Sequence, residues 1–301
     1  MNKPQNWKIG LGLSLMVVFF WATLPVSLDI SLKAVDAWTL TWVRFCVATI
    51  LTVLIIIFTG SWRGYQKLSG KNWLWLLLAG AMLTANYVLF ILGLEKTSPG
   101  NAQVLIQLGP LLMIVGGVVI YKEAFNFRQK LGVVLLLTGL VLFFNDQIGI
   151  ILTAEYKTGV FIVIFAAITW AAYALIQKKL HDVLSPQAIL AIIYLLASVV
   201  LLPTATPATL TSLNHEQWLA ISYACLNTVG AYGAFTQAIK YWQASRVGMI
   251  IALVPVFSLL FISIMSTAFP DLVLPEQIHL FGWLGVILIV SGSMIASLGR
   301  E

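Results

Sequence analysis

Apolar residues run along this chain in stretches of 16 to 23 positions, and polar or charged residues gather in short breaks between them. A largely apolar run of about 18 or more residues, coiled as a helix, matches the hydrocarbon core of a bilayer. The pattern predicts ten spans, at 9–28, 37–58, 73–93, 101–121, 130–145, 159–177, 187–203, 217–239, 247–268 and 279–298. The fifth has only 16 residues, short for a core about 30 Å thick, so it predicts local thinning or an extension toward Gln147. No stretch is left for a soluble domain, and the predicted class is an all-α integral membrane protein.

Composition supports that class. Apolar residues make up 60% of the 301, charged residues 9%, and mean hydropathy is +0.96, against about 25% charged residues in a soluble domain. The net charge of +6 does not predict nucleic-acid binding, because the basic residues lie in short clusters between spans. Those clusters set an orientation instead. With the N-terminus inside, the inner segments hold 13 Lys and Arg, the outer loops hold only Lys33, Lys96 and Lys157, and Arg44 falls within a span. By the positive-inside rule both termini are expected on the cytoplasmic side, and the expected location is a bacterial inner (cell) membrane. Cys46 and Cys225 lie inside spans and read as small buried hydrophobes, not a disulfide or metal framework. The first span is too long for a signal h-region, lacks a clear cleavage site, and reads as retained.

The two halves match in order. Gly10 leads to Trp21-Ala22 as Gly159 leads to Trp170-Ala171, at equal spacing. Tyr87 and Phe90 precede Pro110 as Tyr232 and Phe235 precede Pro255. Glu123 leads to Gly132 and Gly139 as Glu276 leads to Gly285 and Gly292. This shared order predicts a duplication, with repeats at 1–149 and 150–301. An odd number of spans per repeat makes the second copy enter the bilayer from the opposite face, so the predicted fold is ten transmembrane helices as two inverted five-helix repeats. Inverted repeats give two conformations of similar energy, one open to each side, around a site between the halves.

The residues that carry these matches resemble the drug/metabolite transporter superfamily, in particular its EamA-type members. They are Trp21-Ala22-Thr23 followed by Lys33 and Arg44-Phe45, Thr97-Ser98-Pro99 leading to Pro110-Leu111, and Tyr121-Lys122-Glu123 leading to Gly132 and Gly139. The resemblance covers nearly the whole chain. It implies a ten-helix carrier with a central cavity lined mainly by helices 1, 3, 4, 6, 8 and 9, working on amino acids or other metabolites. Ala22 stands where the family usually has Gly, and Ile193 and Tyr194 stand where an Arg would repeat in the second half.

Candidate site residues are polar groups at membrane depth. Arg44 lies about 10 Å inside the outer boundary of span 2 at 1.5 Å per residue. A charge there costs several kcal/mol unless it faces a cavity or partner. It either binds a substrate carboxylate or phosphate bidentately, or snorkels toward the outer interface and Asp36. Asn86 and Gln107 share its depth, and Gln103 shares a helix face with Gln107. Their alternative is interhelical hydrogen bonding worth about 1 kcal/mol or less. Tyr223, Asn227 and Gly230 form a polar stripe in span 8, with Asn227 near the midplane.

Trp21, Trp170 and Tyr173 sit well inside their spans, where they stack on a ligand or pack helices. Thr23 and Tyr87 belong to the family-like motifs and join the candidate set. Trp7, Trp38, Trp62, Trp73, Trp75 and Trp218 fall near span ends and read as interface anchors. Pro110 and Pro255 each remove a backbone hydrogen bond and are the candidate hinges.

The predicted function is secondary transport of a small organic metabolite, an amino acid or related zwitterion or anion, by alternating access. Nucleobases or drug-like aromatics are the runner-up cargo. Other classes are an intramembrane enzyme, which would need a nucleophile with a base or clustered ligands, and a lipid-translocating protein. The expectation is no enzyme and no cofactor. The expected unit is a monomer in the lipid bilayer, with a small-molecule metabolite and no nucleic acid as partner.

Overall fold

The computed structural model describes residues 7–122, 126–145, 154–242, 244–276 and 278–298. Glu123 and Gln147 lie outside the described residues. Twelve α-helices follow one another among them: α1 (Trp7–Leu32), α2 (Ala37–Thr59), α3 (Gly70–Lys96), α4 (Pro99–Leu105), α5 (Leu108–Tyr121), α6 (Phe127–Asn145), α7 (Ala154–Leu180), α8 (Pro186–Leu201), α9 (His215–Tyr241), α10 (Ala244–Ile251), α11 (Val254–Ala268) and α12 (Leu280–Leu298). Two 3-10 segments, Ser61–Lys67 and Pro207–Ser212, lie in the connections.

Polar residues in the breaks cap these helices. Asp36 accepts from the Trp38 and Thr39 amides at 2.9 and 3.0 Å to start α2. Ser185 caps α8 with Pro186 behind it. Asn214 and Gln217 form a reciprocal capping box at α9. Each supplies an acceptor to amides that a helix start leaves unpaired. Gly60, at φ 69°, ends α2 in the left-handed conformation that glycine adopts without steric penalty.

Two predicted spans are broken. The span predicted at 101–121 divides into α4 and α5 at Ile106 and Gln107, and the one at 247–268 into α10 and α11 at Ala252 and Leu253. The proline that follows each break supplies the reason. Pro110 has no N–H for the Ile106 carbonyl, which accepts from Gly109 instead at 2.8 Å, while Gln107 N reaches back to Val104 O at 3.2 Å. In the second case Leu253 N bonds Ile250 O at 3.1 Å. Both are the tighter, 3-10 type of turn that a missing donor favours. The short fifth span is longer than predicted, 19 residues in α6.

By length and apolarity six helices can cross a bilayer, counting Pro99–Tyr121 as one, and three shorter apolar helices follow in the second half. The bundle's outer surface is apolar too. Phe58, Val141 and Leu74 are 85%, 70% and 66% exposed, an arrangement that suits lipid rather than water. Trp7, Trp38, Trp62 and Trp218 are exposed near helix ends, as expected of anchors. Trp73 and Trp75 depart from that expectation. Both pack partly buried against the core, and the Trp75 Nε1 is buried with no hydrogen-bond partner.

The helices pair across the two halves: α6 along α12, α3 along α7, α1 along α9, and α2 along α8. Contacts in each pair run in opposite order, so each pair is antiparallel. Trp42 Nε1 donates to Ser198 O at 3.0 Å, while Thr39 meets Thr206 at 3.0 Å one turn away. Ser27 Oγ donates to Ala220 O at 2.7 Å, and Asn227 Nδ2 to Phe20 O at 2.5 Å. Between α6 and α12 glycine allows backbone contact. A Cβ at Gly139 would lie 2.6 Å from Gly285 O, one at Gly132 2.5 Å from Gly292 O, and the reciprocal distances are the same.

Candidate functional site

The four antiparallel pairs leave a cavity of about 360 Å³ between them, within the usual size range of a small-molecule site. Its deepest charged group is Arg44, from the second turn of α2. Arg44 is 2% exposed. Its Nε donates to Thr228 Oγ1 at 3.1 Å, and its guanidinium lies 4.7 Å from the Tyr87 ring centroid. Among the described residues the one ion pair joins Lys96 and Glu155, and none of their carboxylates neutralises Arg44. The snorkelling alternative is not what the structure has: Asp36 is committed to its own helix start and to Thr206, whose hydroxyl donates to it at 3.0 Å.

Aromatic rings continue from Arg44 across the cavity. Tyr87 packs on Phe45 at 4.6 Å between centroids and on Tyr232 at 6.3 Å, and Trp21 lies 5.9 Å from both Tyr232 and Phe235. Trp170 enters from α7 and packs against Gly109 of the broken helix pair. The polar groups on the wall differ in how committed they are. Asn86 donates to Ala166 O at 2.9 Å and Asn227 to Phe20 O. The Gln103 and Gln107 side chains, each 6% exposed, make no hydrogen bond to the described protein. The Tyr173 hydroxyl is buried, with the Gln177 side chain as its polar neighbour.

Nine of the ten predicted binding residues line this one cavity: Trp21, Arg44, Asn86, Tyr87, Gln103, Gln107, Trp170, Tyr173 and Asn227. Thr23 does not. Its hydroxyl is taken by the Phe19 carbonyl at 2.7 Å and the Tyr223 hydroxyl, and it ties α1 to α9. Pro110 is on the wall in the first turn of α5; Pro255, in the first turn of α11, is not.

Sequence reasoning left out other wall residues. Phe90, Tyr232 and Phe235 were legible only as repeat-matched positions; pairing each with its cavity-lining equivalent was the signal that would have found them. Gln177, Lys178 and His181 extend the wall to an exposed end, joined there by Gly132, Val133, Ser293 and Ala296 from α6 and α12. His181, just past the end of α7, is held below its usual range by partial burial, opposed in part by Asp182. At the other end of the bundle short contacts close the chain over the site. Gly100 N donates to Glu276 Oε1 at 2.8 Å, Lys33 Nζ to Leu272 O at 2.5 Å, and Lys96 pairs with Glu155 at 3.6 Å. Glu276, met in the sequence as a repeat-matched position, thus serves the start of α4.

Comparison with known proteins follows the same lines. The uncharacterized inner membrane transporter YhbE of Escherichia coli K12 is 35% identical over 300 residues, covering 99% of this chain and 94% of its own. An uncharacterized transporter of Haemophilus influenzae is 31% identical over 300 residues, covering 99% and 97%. One crystal structure superposes with a TM-score of 0.69 at 17% identity, over 97% of each chain, a likeness of fold. The model of the EamA-like transporter family matches residues 8–145 and again 157–298. With apolar helices long enough to cross a bilayer and a family match over both halves, this integral membrane protein belongs to the EamA-like transporter family.

Proposed function

We propose that the protein is a secondary transporter that moves a small organic anion or zwitterion by alternating access through this cavity. The observation that carries the reading is Arg44, a buried guanidinium on the cavity wall with no acidic partner among the described residues. A buried cation without a counter-ion is costly, and a bidentate carboxylate from the cargo relieves that cost. Gln103, Gln107 and the Tyr173 hydroxyl supply further hydrogen bonds, and Trp21 and Trp170 supply flat apolar contact.

The carrier consists of ten spans in two inverted repeats, 1–149 and 150–301. Two family matches in tandem support the duplication, and antiparallel pairing of helices between halves supports the inversion. Both termini then face the cytoplasm, and the conformation described is open inward, through the end that carries Lys178 and His181. Pro110 and Pro255, beside the two helix breaks, are the hinges about which α4 and α5, and α10 and α11, bend as the sealed end opens.

The test is solute flux into liposomes holding the purified protein, screened over a panel of metabolites. The expected result is protein-dependent flux of at least one anionic or zwitterionic solute, recovered chemically unchanged, with Arg44→Ala losing that flux while still purifying as folded protein. Full flux in Arg44→Ala would remove Arg44 from the site.

A further inference from the structure

Resting on the reading of the cavity as the cargo site, we infer that the cargo is a small aromatic monocarboxylate that carries no ammonium group. The charge on the wall is one-sided. Arg44 is the buried cation of the wall, and among the described residues lining the cavity there is no Asp or Glu. A carboxylate gains a fixed fork of donors at Arg44. An ammonium entering the same space loses its water and meets the Arg44 cation, with no Asp or Glu among the described wall residues to replace the hydration.

Aromatic faces could hold an ammonium in another setting. Here the Tyr87 face is already taken by Arg44 at 4.7 Å, and Tyr232, Trp21 and Phe235 follow it in one connected cluster, with Phe90, Trp170 and Tyr173 on the same wall. Those rings fit the flat apolar body of the cargo by offset or edge contact. Gln103 and Gln107, unbonded and one turn apart on α4 and at its end, offer both donors and acceptors to a neutral polar substituent. The whole wall therefore suits one negative end, a ring, and at most an uncharged polar group.

A matched trio separates the alternatives: 3-phenylpropanoate, phenylalanine and 2-phenylethylamine share a skeleton and differ only in charge. Each is titrated into the purified wild-type protein, with thermal stabilisation and tryptophan quenching as readouts, and each is then assayed for flux in liposomes. The expected order places 3-phenylpropanoate about tenfold or more tighter than phenylalanine, with no binding of 2-phenylethylamine and loss of 3-phenylpropanoate binding in Arg44→Gln. The ranking is read on wild-type protein, so it stands even where the variant fails to fold. Phenylalanine binding as tightly as 3-phenylpropanoate, or any binding of the amine, overturns the inference and leaves the carrier reading in place. So does flux of some other panel solute with none of the trio bound. If nothing in the wider metabolite panel moves, the carrier reading fails and this inference with it.

Discussion

Asp36 and Arg44 belong to the same helix, two turns apart, and their environments put their charges to opposite uses. Asp36 is exposed and fully engaged. It caps α2 through two amides, takes the Thr39 hydroxyl at 2.6 Å and reaches Thr206 in the other half. Burial pushes its carboxyl up, but those hydrogen bonds outweigh it and hold the group below its usual range. A carboxyl lowered in the folded state adds stability that is fully present above its unfolded value, near 3.8, and lost as pH falls through the lower folded value. Asp36→Asn keeps a capping acceptor but no titratable charge, so unfolding in detergent should lose part of its acid sensitivity below about pH 4. Asp36→Ala should cost about 1 kcal/mol at neutral pH. An acid profile unchanged in Asp36→Asn would show that the cap charge adds nothing. Arg44 has a threonine hydroxyl and an aromatic face beside it but, among the described residues, no carboxylate.

At the scale of the helix, glycine and proline decide geometry. The α6–α12 crossing has backbone against backbone at Gly132, Gly139, Gly285 and Gly292, the close approach that small residues allow between membrane helices. Gly139→Val should destabilise the protein by about 1–3 kcal/mol, the usual cost of overpacking, because the added atoms meet the Gly285 carbonyl and have no flexible side chain to displace. Gly12→Ala is the control. Nothing lies within 4 Å of a Cβ there, and the helix should gain up to about 1 kcal/mol. Unfolding curves of the two variants measure both, and equal stability would mean that the crossing is loose. The prolines were visible in sequence as kink sites, yet the kinks are complete helix breaks. The local backbone satisfies a missing donor by a 3-10 turn, and that choice depends on which carbonyls the neighbouring turn leaves free.

Across the whole molecule the principal helix pairs each join one half to the other, always antiparallel. A chain duplicated without inversion would have an even number of spans per copy, and its ends would lie on one side for a different reason. An inverted five-span copy requires Lys33, after the first span, and Lys157, before the sixth, to lie on the same outer face, with both termini on the inner one. Single cysteines at positions 33 and 157 should be labelled by an impermeant thiol reagent from outside intact cells, and reporters fused to either end should read cytoplasmic. Labelling of one position from each side would end the inverted-repeat reading.

Much of the architecture was written in the one-dimensional pattern, because a bilayer demands long apolar helices and the chain shows them directly in its hydrophobic runs. Helix starts were equally local: Asp36, Ser185 and Asn214 cap the helices that follow them through atoms a few residues away. Depth along a helix is also local, and it singled out Arg44, Asn86, Gln103, Gln107 and Asn227 as groups at cavity level. Direction around a helix is not. Thr23 shares the depth of Trp21, yet its hydroxyl is spent on Phe19 and Tyr223, because only the docking of α9 beside α1 decides which face is wall and which is seam. The sequence by itself determined that this is a helical membrane protein with buried polar groups. Tertiary packing alone decided which of those groups stayed unpaired, since a hydrogen-bond donor is free or committed according to neighbours that the chain brings from the other half.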